Sequence, residues 1–142
     1  MIVGFPGETQ KDFEELSEFV KNAKFDKLGT FMYSKEDGTP AEKMPNQIHG
    51  NTKKSRYNKI MRLQKGISKE NLEKRIGKEY EVLIENKTFD NKYWIGRTKM
   101  DVPEMDGVVY IENKSNNKDL INQFLKCQIT EVRDYDLIGI LI

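Results

Sequence analysis

At 142 residues, with 37% hydrophobic and 33% charged side chains, the chain is long enough for one domain or two small ones. No apolar run approaches the roughly 18 residues of a membrane span, and no basic-then-apolar leader opens it, so the expectations are no membrane partner and a cytoplasmic location. The single cysteine, Cys127, excludes an internal disulfide and any cysteine-cluster metal site made from this sequence alone.

Net charge is +1, but it is unevenly spread. Residues 1–76 carry fifteen Lys/Arg against eleven Asp/Glu, and residues 77–142 carry nine against twelve. The basic excess is densest over 51–75, which points to two units with different partners.

Ile2-Val3 reads as the end of a buried strand and Gly4–Glu8 as the loop that follows it. Thr9, with Asp12 three residues on, is a capping-box start. Phe13, Leu16, Phe19, Val20 and Ala23 then recur at helical spacing. Phe25–Tyr33 reads as the next strand, so strand, helix and strand follow one another as in a βαβ unit of a parallel sheet. Turn residues Gly38, Pro40, Pro45 and Gly50 mark a loop. A long helix starts at Asn51 or Thr52, carries a sparse apolar stripe (Tyr57, Ile60, Met61, Ile67, Leu72) and stops at Gly77.

Beyond Glu79 the period changes. "YEVLIEN", "YWIGRTKM", "GVVYIEN", "FLKCQITEV" and "YDLIGILI" are short β segments separated by "KTFDN", "DVPEMDG", "KSNNKD" and "RDYD". Five such strands predict a small antiparallel barrel. The domains are placed at 1–74 and 75–142. One βαβ unit cannot bury both faces of its sheet. Residues 1–50 are therefore expected to be the last piece of a larger α/β domain, with Met1 an internal methionine of a longer protein. On that basis residues 77–142 fold independently, while residues 1–50 are loosely held or bury their open sheet edge in a dimer.

"IVGFPGET", "DFEEL", "FMYSKEDGTPAEKM" and a basic helix containing Gln64 resemble the C-terminal part of the barrel of the radical S-adenosylmethionine (SAM) methylthiotransferases. "GKEYEVLIEN", "YWIGRTKMDVPEMDGVVYI" and "YDLIGILI" resemble the TRAM domain, an OB-like five-stranded barrel, that ends those enzymes. The fold class this implies is α+β: the C-terminal βα portion of a partial TIM-like radical SAM barrel, a long helix, and the TRAM barrel. "GRT" followed by "DVPEMDGVVYI" is similar to the RimO branch. The resemblance then implies methylthiolation of an aspartate β-carbon in a small-subunit ribosomal protein, using two [4Fe–4S] clusters and SAM. The net negative charge of residues 77–142 suits a basic ribosomal protein better than RNA phosphates. Two rivals stay open: the MiaB branch, which modifies a tRNA adenosine, and a non-enzymatic RNA-binding TRAM module.

The family holds its radical-generating cluster with Cys-x3-Cys-x2-Cys, which is absent here, so no catalytic residue is assigned and this chain alone is expected to bind no metal, cluster or other cofactor. Gly4, Pro6, Gly7 and Glu8, at a strand end, are the residues placed near SAM, with Glu8 as the polar contributor; a plain turn capping a helix is the other reading. Tyr33–Pro40 follows a second strand end, where it either shapes the substrate mouth or is surface loop. The basic helix 51–75 either touches ribosomal or transfer RNA or is a solvated face that also packs on the rest of the α/β barrel. Arg97, Asp101, Glu104 and Asp106 are assigned to docking of the basic protein substrate, against a solvated turn in which Asp101 or Asp106 caps backbone amides. Trp94 is read as core rather than stacking platform, and Cys127 as a buried thiol. His49 is assigned no role, and no hydrolytic triad, phosphate loop or HExxH motif occurs.

Overall fold

The computed structural model describes residues 1–103, 107–114 and 119–142. It divides into two compact units, Met1–Ser68 and Lys69–Ile142.

In the first unit β1 (Ile2–Val3) pairs in parallel with β2 (Phe31–Met32), joined by α1 (Gln10–Ala23). The capping box forms: the Asp12 amide donates to Thr9 Oγ1 (3.1 Å) and the Thr9 amide to Asp12 Oδ2 (2.8 Å). The amide and hydroxyl of Thr9 hold the Asp12 carboxyl below its ordinary range. After a 3₁₀ turn at Pro40–Lys43 comes α2 (Gly50–Glu73), which runs from the first unit into the second. Val3, Phe13 and Ile60 form the core, with Leu16, Leu28 and Tyr57 packed around them.

Two expectations need correction here. β2 is only two residues long, because the backbone ahead of it is satisfied elsewhere. Gln64 Nε2 donates to the Phe25 carbonyl (2.7 Å), and Ser68 Oγ to the Asp26 carbonyl (3.0 Å), so α2 side chains replace a strand partner. The apolar face of α1 is also narrower than its spacing suggests. Phe13 and Val20 are buried, but Ala23 is exposed and Phe19 is 55% exposed, its ring meeting only the edge of Phe25 among aromatic partners.

The second unit is a closed barrel of β3 (Glu79–Lys87), β4 (Tyr93–Thr98), β5 (Val109–Glu112), β6 (Phe124–Arg133) and β7 (Asp136–Leu141) in the order β3-β4-β5-β7-β6. Four of its pairings are antiparallel, and β5 with β7 is parallel. A closed ring with an odd number of strands cannot alternate direction throughout, so one parallel pair is required. Register shifts at Ile84/Asn86 and Ile129/Glu131 put bulges in β3 and β6 that help the sheet curl shut. Val82, Ile84, Trp94, Val109, Ile111, Leu120, Cys127, Ile129 and Leu137 fill the interior, which settles Trp94 and Cys127 as core. Gly139 lets β7 lie against Cys127: a Cβ there would run into Cys127 Sγ and stand 2.8 Å from the Gln128 carbonyl oxygen.

Gly139→Ala is expected to destabilise the chain by about 1–3 kcal/mol through overpacking. Gly66→Ala, on an α2 face with nothing within 4 Å of the added Cβ, should stabilise it by roughly 0.5–1 kcal/mol. Urea unfolding followed by circular dichroism checks both signs.

Candidate functional site

The loop after β1 is tied from inside. Gly4 (φ +74°) and Gly7 (φ +86°) take left-handed backbone conformations. The Gly4 amide donates to Glu8 Oε2 (2.8 Å), the Glu8 amide to the Phe5 carbonyl (3.0 Å), and the Gly7 amide to the Asn46 carbonyl (3.0 Å). The other carboxylate oxygen, Glu8 Oε1, meets Arg56 Nη1, which also donates to the Glu8 carbonyl (3.1 Å). Both charged side chains are close to nine-tenths buried. Next to Arg56 on α2, Lys53 Nζ donates to the Tyr33 carbonyl (2.9 Å) and sits over the Tyr33 ring. Thus Glu8 is the keystone of the loop, and its oxygens point inward. Pro6 and Gly4 are buried, and Phe5, edge-on to Tyr33 at 5.2 Å and 43% exposed, is the loop's most accessible ring.

In the barrel, strand alternation sends Trp94, Gly96 and Thr98 inward and Tyr93, Ile95 and Arg97 outward. Tyr93 and Tyr110 meet edge to face at 6.2 Å, and Ile95, Tyr110 and Ile138 stand in register across β4, β5 and β7. Phe89, in the β3–β4 loop, is fully exposed. Cations border this aromatic face, each held by a carboxylate: Lys92 by Asp90 (3.3 Å), Lys114 by Glu112 (3.3 Å), Arg133 by Glu131 (2.8 Å) and Arg97 by Glu85 (2.7 Å). The hydrogen bond from Arg133 to Glu131 raises the guanidinium pKa, and the Thr88 hydroxyl, then the Lys92 amide, hold the Asp90 carboxyl low. Arg97 also lines a surface groove of about 630 Å³ with Glu79, Tyr80, Glu81, Leu83 and Phe124.

Asp101 is placed differently from its docking assignment. Its Oδ2 accepts from the Thr98 hydroxyl (2.6 Å) and amide (3.1 Å), Oδ1 lies 3.9 Å from Arg75 Nη1, and both charged side chains are only 8% exposed. It caps the Thr98 amide, as the alternative reading had it, but in a buried and not a solvated setting, where it pairs with Arg75. Glu104 and Asp106 lie outside the described residues. Arg56 and Arg75 went unnoticed as structural residues within a basic run. Arg56 had a signal, since it shares a helical face with Ile60, Gln64 and Ile67.

The donor set for an iron–sulfur cluster is wrong. Burial pushes the Cys127 thiol up to about 11, and it is enclosed in the barrel core, whereas clusters need several accessible thiolates. Among the described residues no His, Cys, Asp and Glu group could hold a metal.

Residues 76–142, which hold the barrel, match the family model of the TRAM domain. The whole chain, moreover, matches the C-terminal end of RimO methylthiotransferases. It is 60% identical to the ribosomal protein uS12 methylthiotransferase RimO of Alkaliphilus oremlandii, over 98% of this chain and 32% of that protein. It is 48% identical to RimO of Desulforamulus reducens, over 97% of this chain and 31% of that one. For RimO of Clostridium perfringens the identity is 45%, over 99% of this chain and 31% of the relative. The chain thus spans about a third of the length of the curated relatives it matches. No described helix is long and apolar enough to cross a membrane.

The inward placement of Asp101 has a measurable consequence. Asp101→Ala leaves Arg75 buried without its ion-pair partner and should destabilise the barrel by about 3 kcal/mol or more. Glu85→Lys, at a partly exposed pair, should cost less than about 1 kcal/mol. Urea titration monitored by Trp94 fluorescence distinguishes them. Equal, small effects would return Asp101 to the surface.

Proposed function

We propose that this chain is the C-terminal, substrate-recognising part of a radical SAM methylthiotransferase acting on ribosomal protein uS12, with the TRAM barrel as the docking element. The similarity to uS12 methylthiotransferases over nearly the whole chain supports the enzyme family. The observation that favours protein over RNA as the barrel's partner is the charge pairing around the aromatic face. RNA binding draws its affinity from cations that replace counterions on phosphates. Here Lys92, Arg97, Lys114 and Arg133 already have carboxylate partners. What remains is an apolar, aromatic face beside four paired cations, which suits a polypeptide.

Within this reading, Glu104 and Asp106 meet the cations of the basic partner, and Arg97 borders the groove of the barrel surface. The modified atom is an aspartate β-carbon, and the work is done in the cytoplasm. SAM and the two [4Fe–4S] clusters of the parent enzyme supply radical generation and the methylthio group. The clusters find no ligands in this chain. At the SAM site this chain contributes backbone around Gly4, Pro6 and Gly7 and the Phe5 ring. Glu8 acts through Arg56 and the Gly4 amide by fixing the loop's shape. The two-stranded sheet, with Ile2, Phe31 and Met32 exposed, is one edge of the parent's barrel.

The test is a binding titration of this chain against uS12 and against a tRNA anticodon stem-loop. Submicromolar binding to uS12 is expected, weakened by about tenfold or more, some 1.4 kcal/mol, in Glu104→Lys/Asp106→Lys. Tight binding to the stem-loop with none to uS12 would overturn this in favour of the tRNA-modifying branch or a free-standing RNA-binding module.

A further inference from the structure

We infer that the exposed face of α2 is a binding surface for the phosphate backbone of RNA, separate from the protein-docking barrel. Between Gly50 and Lys69 the helix carries Lys53, Lys54, Arg56, Lys59, Arg62, Lys65 and Lys69 and no Asp or Glu. These cations divide by task. Lys53 and Arg56 turn into the first unit and hold the Tyr33 carbonyl and Glu8. Lys59 lies over the Phe13 ring at 5.5 Å. Lys54, Arg62 and Lys65 do none of this. All three are exposed, and none has an ion-pair partner among the described residues.

Their spacing places them together. Positions 54, 62 and 65 stand at i, i+8 and i+11, one stripe of an α-helix about 16 Å long. An ordinary solvated helix offsets such a row with acids three or four residues away. Lys54, Arg62 and Lys65 have none, whereas Lys69 pairs with Glu73 (3.9 Å), and Arg62 and Lys65, three apart, repel one another. Cations that stabilise nothing within the chain are free for an outside polyanion. Lys92, Arg97, Lys114 and Arg133 on the barrel are the reverse case, each held by a carboxylate.

Two other polyanions fit less well. An interfacial membrane helix flanks its basic stripe with Trp, Phe or Leu, whereas the exposed residues between and beside these cations are Asn51, Ser55, Asn58 and Gly66. An acidic protein would supply fewer and less regular charges than a phosphate backbone. RNA is also the polyanion that lies beside a ribosomal protein. To that extent the inference rests on the function proposed above.

The experiment is fluorescence anisotropy of a labelled RNA hairpin with the full 142-residue chain, titrated across a range of salt concentrations. Lys54→Gln/Arg62→Gln/Lys65→Gln is compared with wild type, and circular dichroism confirms that the helix is retained. Wild type should show a log–log salt slope steeper than the variant's by about two to three, since each phosphate contact contributes roughly −0.7 to −0.9. Affinity near 0.1 M salt should fall by more than about tenfold. Binding of the same variant to uS12 should stay unchanged, which separates failure of this inference from failure of the docking reading. An unchanged salt slope in the variant would overturn the inference. So would RNA binding lost in Tyr110→Ala instead, or equal affinity for polyglutamate or phosphatidylserine vesicles.

Discussion

A ring of five strands cannot alternate direction all the way round, and the second unit is organised by that constraint. One pair must be parallel, and it is β5 with β7. Parallel neighbours cannot be joined by a hairpin. The chain therefore leaves β5, crosses to pair β6 with β3, and returns through a tight turn to β7. That route brings β7 close over β6, which is why residue 139 has no room for a side chain beside Cys127. It also leaves β4 and β5 adjacent, with Tyr93 and Tyr110 on their shared outer surface. The face assigned to the partner follows from closing the barrel.

The same residue types do opposite work in different places. Arg56 and Arg75 are buried, each facing a carboxylate, where removing one partner would strand a charge in a poor solvent. Around the barrel face, Lys92, Arg97, Lys114 and Arg133 are paired at the surface, which contributes little stability and weakens the local field. On the outer face of α2, Lys54, Arg62 and Lys65 are exposed and have no ion-pair partner among the described residues. Net charge, which is nearly zero for the chain, conceals all three arrangements, and the partner of each surface depends on the arrangement.

Much of this was legible in the residues. The capping box at Thr9 and Asp12, the change from helical to alternating period near residue 79, and the five barrel strands are local signals, and the structure has them where the spacing put them. What the sequence hid is set by tertiary partners. The shortness of β2 depends on Gln64 and Ser68 reaching across from α2. The parallel closure is a property of the ring and of no single strand. Asp101 looks like a surface acid until Thr98 and Arg75 are brought to it. Glu8 reads from the sequence as a polar contributor near SAM, but its partner, Arg56, lies 48 residues away, so the sequence does not separate a ligand-facing role from a structural one.

The two proposals together divide the labour, with the barrel's aromatic face for protein and the exposed face of α2 for RNA. Site-specific photo-crosslinking to small ribosomal subunits tests that division most directly. A photoreactive amino acid replaces Tyr110 in one sample and Lys65 in another. A protein crosslink to uS12 is expected from position 110 and an RNA crosslink from position 65. RNA crosslinked from position 110, with none from position 65, would contradict that division.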